Sequence, residues 1–406
     1  ILKFENFLAS RILSYKRYKN TISSPIIKIS ILSIIIAIIV INFSVSIGFG
    51  IQNEIRDKFI TISGDYYISN FKNENFSTYH PIDLNNIVNQ FFNSKNFSEI
   101  NKVVYNPGII PVNNTFLDIV FKGIDNNSFR SINQFVKNKD LINIEVSEVL
   151  VSDILAKKLN VKKGDYIKFL FFKDQNSKIP LVRNLKVLEL YNSSISEFDS
   201  KLVFGNIKQS QLINKWNDNF TGGLEVYIEK NDLKKQDLDF LFSSIPPDYD
   251  VQKISERFPE IFNWIKLFDT NIYLIVILMI AVGGINMITA LLVTVLDKTK
   301  LIARLKILGA NNSSIRTIFM INGFYLIMKG IIWGNIISLS LMIIQKRFSL
   351  VRLDPMTYYS DHVPVEIDPI KILLINLVVI VISMLMLLIP SGTISKIKPN
   401  SSFKLS

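Results

Sequence analysis

Four long runs of apolar residues almost free of charge limit this chain more than any other feature. Ile29 to Ile51, Asn271 to Leu296 and Ile372 to Ser395 hold no charged side chain, and Thr317 to Gln345 holds only Lys329. At about 1.5 Å per helical residue each exceeds the ~30 Å hydrocarbon core of a bilayer. Helices buried in a large soluble core need runs of only about 10–14 such residues, so membrane spans are the better reading. The first run is longer than the apolar stretch of a cleaved leader and lacks a following Ala-x-Ala-like site, so it is expected to stay as an anchor.

Charge supports and orients this reading. Residues 1–28 carry +5, residues 297–316 carry +4 and the tail after Gly392 carries +3, which together account for the whole formal charge of +12. The 346–369 loop has three bases against four acids. Excess Lys and Arg marks cytoplasmic segments, so both termini and the 297–316 loop are expected inside, and residues 52–270 and 346–369 outside. The basic pI is thus a topology signal and points to membrane lipid, with no nucleic acid partner. The chain has no Cys and only His80 and His362, which leaves no basis for a disulfide framework or a zinc site.

The expected architecture is α-helical, with four transmembrane helices and a large mixed α/β (α+β) domain inserted between the first two. In order it has an amino-terminal elbow helix (1–28), TM1 (29–51), the inserted domain (52–270), TM2 (271–296) and a coupling segment (297–316). TM3 (317–345), an outer loop (346–369), TM4 (370–392) and a tail (393–406) follow. Within the domain, β-branched and aromatic runs at 65–69, 103–105, 116–121, 166–172, 184–190 and 224–229 predict strands. Asn106-Pro107-Gly108, Lys163-Gly164-Asp165 and Thr221-Gly222-Gly223 supply turn chemistry. Helical spacing predicts helices over 147–159, 83–92 and 209–216.

Chemical motifs are mostly missing. There is no G-x-x-x-x-G-K-[ST] phosphate loop and no G-x-S-x-G elbow, and a Ser/His/Asp triad would need one of two unrelated His residues. Glu145 and Glu148 read as a solvated face. The chain is therefore not expected to be an enzyme in its own right. Two segments do carry mechanism. From Asp297 to Ala310 a helix pattern places Leu301, Ile302, Leu305 and Leu308 on one side and bases on the other, with Gly309 as a stop. Such a segment either lies on anionic lipid or docks on a partner. The second is the amino-terminal stretch, where Phe4, Phe7, Leu8 and Ile12 recur beside Arg11, Lys16 and Arg17.

Lys300 to Ala310, followed by Ser314-Ile315-Arg316, resembles the coupling segment of the FtsX-like and MacB-like permeases of ABC systems. Ile29-Ser30, Ser44-Val45 and Gly48-Phe49 resemble the opening span of the lipoprotein-releasing LolC/LolE-type members. Leu155 to Leu159 through Gly164-Asp165, Glu197-Phe198-Asp199 with Gln209, Leu353-Asp354-Pro355 and Val363-Pro364-Val365 are similar to further stretches of that family. The resemblance implies a Gram-negative inner-membrane permease that pairs with a second copy or paralogue around a LolD-like ATPase dimer. That dimer would bind ATP and Mg, and this chain would bind no cofactor. The cargo would be an acylated lipoprotein, passed to a LolA-like periplasmic chaperone.

By the same resemblance, Asp297, Lys298, Lys300, Leu301, Arg304, Leu305, Leu308 and Gly309 would contact the ATPase. The family's Glu and Gly are replaced here by Leu301 and Ala303. Asn42, Phe43, Val45, Ile47 and Phe49, with Ile275, Met279 and Ile280, would line the lipoprotein cavity. A β-hairpin hook for the chaperone would hold Lys173, Asp174, Ser177, Pro180 and Arg183. Asn286 reads either as a family position or as interhelical glue, and Lys329 either as a functional charge or as a snorkelling one. The rival readings are an FtsX-type regulator of cell-wall hydrolases, another MacB-like exporter and an anchored scaffold. The size of the inserted domain, the lack of an ATPase ahead of TM1 and the coupling segment disfavour these three in turn.

Overall fold

A computed structural model describes residues 23–74, 76–87, 91, 97–112, 115–136, 143–172, 179–228, 235–392 and 394. Residues 1–22 of the expected elbow helix and most of the tail thus lie outside the described residues, and residues 23–28 belong to the first long helix. Among the described residues four helices are long and apolar enough to cross a membrane: α1 (Ser23–Ser63), α2 (Pro259–Asp297), α4 (Asn312–Phe348) and α5 (Pro369–Ser391), with a short helix α3 (Thr299–Ile307) between α2 and α4. The first three overrun their apolar runs, because polar residues that keep helical spacing continue the backbone hydrogen bonds beyond them. The protein is therefore an α-helical membrane protein with a large α/β domain between its first two spanning helices. The chain separates into two compact units, one built from the helices and the other from residues 53–264 with 353–361.

In the helical unit, small and amide side chains set the packing. A Cβ on Gly330 would fall 2.5 Å from Ile34 and one on Gly334 2.8 Å from Ile38, so α1 and α4 touch nearly backbone to backbone. Asn42 donates to Asn335 Oδ1 at 2.9 Å and to Ser338 Oγ at 2.8 Å, and Asn335 donates to Asn376 Oδ1 at 3.2 Å. This amide ladder crosses α1, α4 and α5. Asn286 of α2 donates to Ser33 Oγ at 2.5 Å, and Ser30 Oγ donates to the Asn286 carbonyl at 3.1 Å. Asn286 is thus bonded across to α1.

The other unit has a nine-stranded sheet of β1 (Tyr66–Asn70), β3 (Glu99–Val112), β4 (Thr115–Ile124), β5 (Glu148–Ser152), β6 (Tyr166–Phe171), β7 (Leu181–Tyr191), β8 (Leu202–Asn206), β10 (Gly223–Tyr227) and β11 (Tyr249–Lys253). A pair, β2 (Ile82–Asp83) and β9 (Phe220–Thr221), stands apart. The order is β11-β1-β10-β3-β4-β8-β5-β7-β6, and β3 also pairs with β6, so six strands close into a ring. Phe121, Val149, Val151, Phe169, Phe171 and Val203 fill one core, while Ile68, Phe91, Leu224, Val226 and Leu241 form a second beside the β1 end.

Two expectations fail here. Residues 147–159 are not one helix: Val149, Leu150 and Val151 are wholly buried in strand β5, and the helix is only Asp153–Leu159, capped by Ser152 Oγ, which accepts from Leu155 N–H at 2.9 Å. A β-branched run between two sheet neighbours outweighs a seven-residue coincidence with helical spacing. Asn106-Pro107-Gly108 is not a turn; it lies within β3, where Gly108 lets Phe171 of β6 approach, its absent Cβ being 2.9 Å from that ring. Of the helix expected over 83–92, a single 3₁₀ turn at Leu84–Asn86 is described together with Phe91.

A buried ionic knot lies inside the domain. Lys122 Nζ reaches both Glu225 oxygens, at 2.7 and 2.8 Å, and the Ile62 carbonyl in the last turn of α1. Tyr105 and Tyr227 hydroxyls donate to the same carboxylate at 2.7 and 3.2 Å. Arg257 lies over the Tyr67 ring, 3.8 Å from its centroid. Burial pulls the Lys122 ammonium below its usual range, against the opposing pull of Glu225. A second buried acid, Asp199, accepts from the Ser193 hydroxyl at 2.7 Å, and the neighbouring Glu197 accepts from Tyr359 at 2.7 Å, which ties the 353–361 loop to this domain. Burial, partly offset by the Ser193 hydrogen bonds, raises the Asp199 carboxyl to about 6.

Replacing Glu225 with Gln leaves Lys122 buried without its counter-charge and is expected to destabilise the domain by about 3–5 kcal/mol, and the double change to Lys122→Met and Glu225→Leu is expected to recover only part of that loss, because the Tyr105 and Tyr227 hydroxyls then lose their acceptor. Chemical denaturation of the full chain in detergent reads both. Because the folded Asp199 binds its proton more tightly than the unfolded 3.8, its contribution is complete below about pH 4 and lost as pH rises through 6. Asp199→Asn is expected to gain on wild type by on the order of 3 kcal/mol between pH 4 and 7, as measured by melting curves at both values.

Candidate functional site

Two surfaces of the helical unit carry the residues singled out from the sequence. The first is α3. Asp297 ends α2, and Lys298, half-turned between the two helices, pairs with it at 3.0 Å. Ile302 and Ala303 are fully buried, with Ile302 in the bundle core among Ile315, Phe319 and Ile394. Leu301 packs against Ile318, and Leu305 is partly buried. Gly309 takes φ +87°, its N–H bonding the Lys306 carbonyl at 3.1 Å while Ala310 N–H bonds that of Leu305 at 2.9 Å. This is the Schellman closure, and it needs Gly because a side chain there would be strained.

That docking fixes what α3 leaves outside. Lys300, Arg304, Leu308 and Gly309 are exposed, and so is Ile307, which the sequence reading did not single out. Leu308 is 82% exposed and Ile307 61% exposed. The buried face is centred on Ile302 and Ala303, so Leu308 does not share the side on which the apolar spacing placed it. Leu308 follows the last helical residue, and its turn into Gly309 carries it outward. Lys306 does not point free either, since its Nζ donates to the Ile394 carbonyl at 3.0 Å. The exposed stripe therefore combines two cations with two large aliphatic side chains, a composition suited to a protein cleft as much as to lipid headgroups.

The second surface is an apolar groove of about 380 Å³ between α1, α2 and α5. Val45 and Phe49 enter from α1, Ile272, Val276 and Ile280 from α2, and Leu374, Ile375 and Val379 from α5, with Asp269 and Lys371 as its charged members. Lys371 Nζ lies 3.9 Å from the Phe49 ring centroid and 3.4 Å from Glu366 Oε1, while Asp269 accepts from Gln52 at 2.9 Å. Of the eight cavity residues expected, Val45, Phe49 and Ile280 line this groove. Phe43, Ile47, Ile275 and Met279 are partly buried elsewhere on the helices, and Asn42, 1% exposed, is spent on the amide ladder. The wall from α5 was missed, because the run from 372 to 395 is apolar on every side and spacing alone marks no inner face.

Of the expected hook, Lys173, Asp174 and Ser177 lie outside the described residues. Pro180 is partly buried next to Ile179, which is 86% exposed. Arg183 is in strand β7 opposite Phe169, and with the Gln209 amide turned to suit its neighbours, Arg183 Nε donates to it at 3.1 Å. Among the described residues no three or more His, Cys, Asp and Glu side chains gather as a metal site would require.

The architecture thus combines four helices able to span a membrane with an inserted α/β domain, an exposed basic-aliphatic helix and an apolar groove. Residues 273–399 match the FtsX-like permease C-terminal family. The chain is similar to the lipoprotein-releasing system transmembrane protein LolE of Haemophilus influenzae, 23% identical over 94% of this chain and 95% of that protein. It is also similar to the LolC protein of that system from Buchnera aphidicola, 26% identical over 90% of each. The resemblance to LolC/LolE-type permeases drawn from a few motifs thus extends along nine-tenths of the chain. Among solved structures, the periplasmic region of MacB from Actinobacillus actinomycetemcomitans is 14% identical with a TM-score of 0.34, covering 50% of this chain and 96% of that one.

Since Asn42 serves the ladder and not the groove, Asn42→Leu is expected to lower bundle stability by roughly 0.6–1.7 kcal/mol and to leave groove binding of an apolar fluorescent probe unchanged. Unfolding titrations in mixed micelles, alongside probe titrations, separate the two effects.

Proposed function

We propose that this chain is the membrane-spanning permease subunit of an ABC transporter that extracts lipoproteins from the inner membrane and hands them to a periplasmic chaperone. The observation that carries this reading is the similarity to lipoprotein-releasing system proteins over nine-tenths of the chain. In this reading both termini and α3 face the cytoplasm and the α/β domain faces the periplasm, as the distribution of Lys and Arg favours. A separate LolD-like ATPase dimer binds ATP and Mg, and a second permease, a copy or a paralogue, completes the membrane part.

The chain's own task is mechanical. Lys298, Lys300, Arg304 and Leu308, with Ile307 added by the structure, form the contact through which ATPase closure is felt. Ile302 and Ala303 are seated in the bundle core, so a push on α3 is passed to α2 and α4 instead of being lost in a loop. The groove takes the acyl chains of the cargo. Its volume falls within the ~300–1,000 Å³ of ligand pockets, and each CH₂ drawn out of lipid is worth about 0.8 kcal/mol, so an apolar wall is needed to offset extraction and the remainder must come from ATP. In this reading Lys371, which lies beside Phe49, would meet the polar head of the cargo lipid. Pro180 and Arg183 remain the residues proposed for the chaperone hook, with Lys173, Asp174 and Ser177.

Purifying the tagged chain from its own membranes and identifying its companions by mass spectrometry tests the whole reading: an ATPase together with acylated lipoproteins is expected, and recovery of no ATPase would refute it. Reversing Lys298, Lys300 and Arg304 to Glu is expected to abolish ATPase recovery while the chain still folds, and Ile307→Asp to weaken it by roughly tenfold or more, as for truncation at an interface hot spot.

A further inference from the structure

Lys329 is the single charged side chain in the four apolar runs, and it lies near the middle of its own run. On its own helix, Arg316 is 13 residues away in one direction and Lys346 is 17 away in the other, roughly 20 and 26 Å of helix. The neighbouring α5 gives the same level: its partners of α4 are Leu387 opposite Gly323 and Asn376 opposite Asn335, which brackets Lys329 near the middle of Pro369–Ser391. A lysine stem is too short to bring its ammonium from there to either headgroup layer.

Lys329 is also directed away from the bundle. It is exposed, one turn from exposed Tyr325 and Trp333, while Leu326, Ile327 and Gly330 on the other side of α4 are buried. Among the described residues it has neither a hydrogen bond nor an ion pair. A cation at mid-bilayer depth on a lipid-facing surface is costly, and such residues are kept where a partner group meets them. The apolar runs of this chain contain no Asp or Glu, so a second copy seated on this face would bring only neutral side chains or another Lys329. We propose that the Lys329 face of α4 is a docking surface for a transmembrane helix of a different chain, one that carries an Asp or Glu at mid-bilayer depth. The charge calls for a counter-charge that the apolar runs of this chain do not contain, and the flanking Tyr325 and Trp333 offer the aromatic surface that helix would pack on. This inference rests on the membrane-spanning fold and is independent of the cargo proposed above.

A benzophenone amino acid placed at Ile332 or Ile336, on the same exposed face, with Lys329 intact, reports the neighbour by photo-crosslinking in native membranes. The expected adduct is a different membrane protein whose crosslinked segment holds a carboxylate within its apolar run. Lys329→Glu should lower the adduct yield at least about tenfold, and changing that carboxylate to Lys in the partner should restore it. Adducts with lipid alone, with a lipoprotein or with this same chain would overturn the proposal, and so would a partner adduct that Lys329→Glu leaves unchanged.

Discussion

In the helical unit the ladder from Asn42 through Asn335 to Asn376 is the interaction on which the packing turns. Helices in hydrocarbon gain little by hiding apolar side chains from one another, because lipid tails are equally apolar. What holds them is close contact and polar pairing, and this bundle has both in one place. Gly334 brings α4 against Ile38 of α1, one residue before Asn335 pairs with Asn42. The close approach makes the hydrogen bonds reachable, and the hydrogen bonds fix the register of the close approach. Each such bond contributes well under 2 kcal/mol, so the value of the ladder is its specificity: sliding α1 along α4 by one turn would leave several amides unsatisfied in a medium without water.

The α/β domain is stabilised by the opposite means. There water drives apolar side chains inward, and two cores form along one curved sheet. Within that apolar setting the Lys122–Glu225 pair is an expense that stability alone does not demand. Its geometry suggests specificity instead. Lys122 is bonded to three oxygens on two elements, the strand β10 and the last turn of α1, and only one placement of that turn against the sheet satisfies all three. Tyr105 and Tyr227 then complete the carboxylate, so the knot has no spare acceptor to tolerate a shifted alternative.

How much of this was legible in the sequence follows from which force dominates each part. The spans were readable because hydrocarbon thickness imposes a length that few other structures need. Strands β1, β4, β6 and β7 were readable from alternating or β-branched runs between turn residues. The strand at Val149–Leu150–Val151 was not, since a fully buried strand loses the alternation that distinguishes it from a helix. The pairing of β3 with β6 was likewise hidden, because ring closure depends on partners over 60 residues apart and the local sign, Pro107-Gly108, reads as a turn. For the candidate site, depth along each helix was legible and direction around it was not. Val45, Phe49 and Ile280 face the groove, whereas Asn42, at the same level as Val45, faces α4. In an apolar run every face satisfies the lipid, so only the tertiary contacts choose one.

The same distinction explains why α3 is the more informative of the two surfaces. A groove wall can be built from almost any aliphatic side chain, so its sequence carries little record of its use. In α3, by contrast, two requirements act on adjacent residues. Ile302 and Ala303 must fit a closed bundle core, while Arg304, Ile307 and Leu308 must stay outside it, and Gly309 must turn the chain immediately afterwards. Exposed aliphatic residues beside cations at the end of a well-seated helix are unfavourable in water and are not needed to hold the helix in place. In the reading proposed above, the partner ATPase covers them. The firm seating behind them is what would let a force applied there reach α2 and α4.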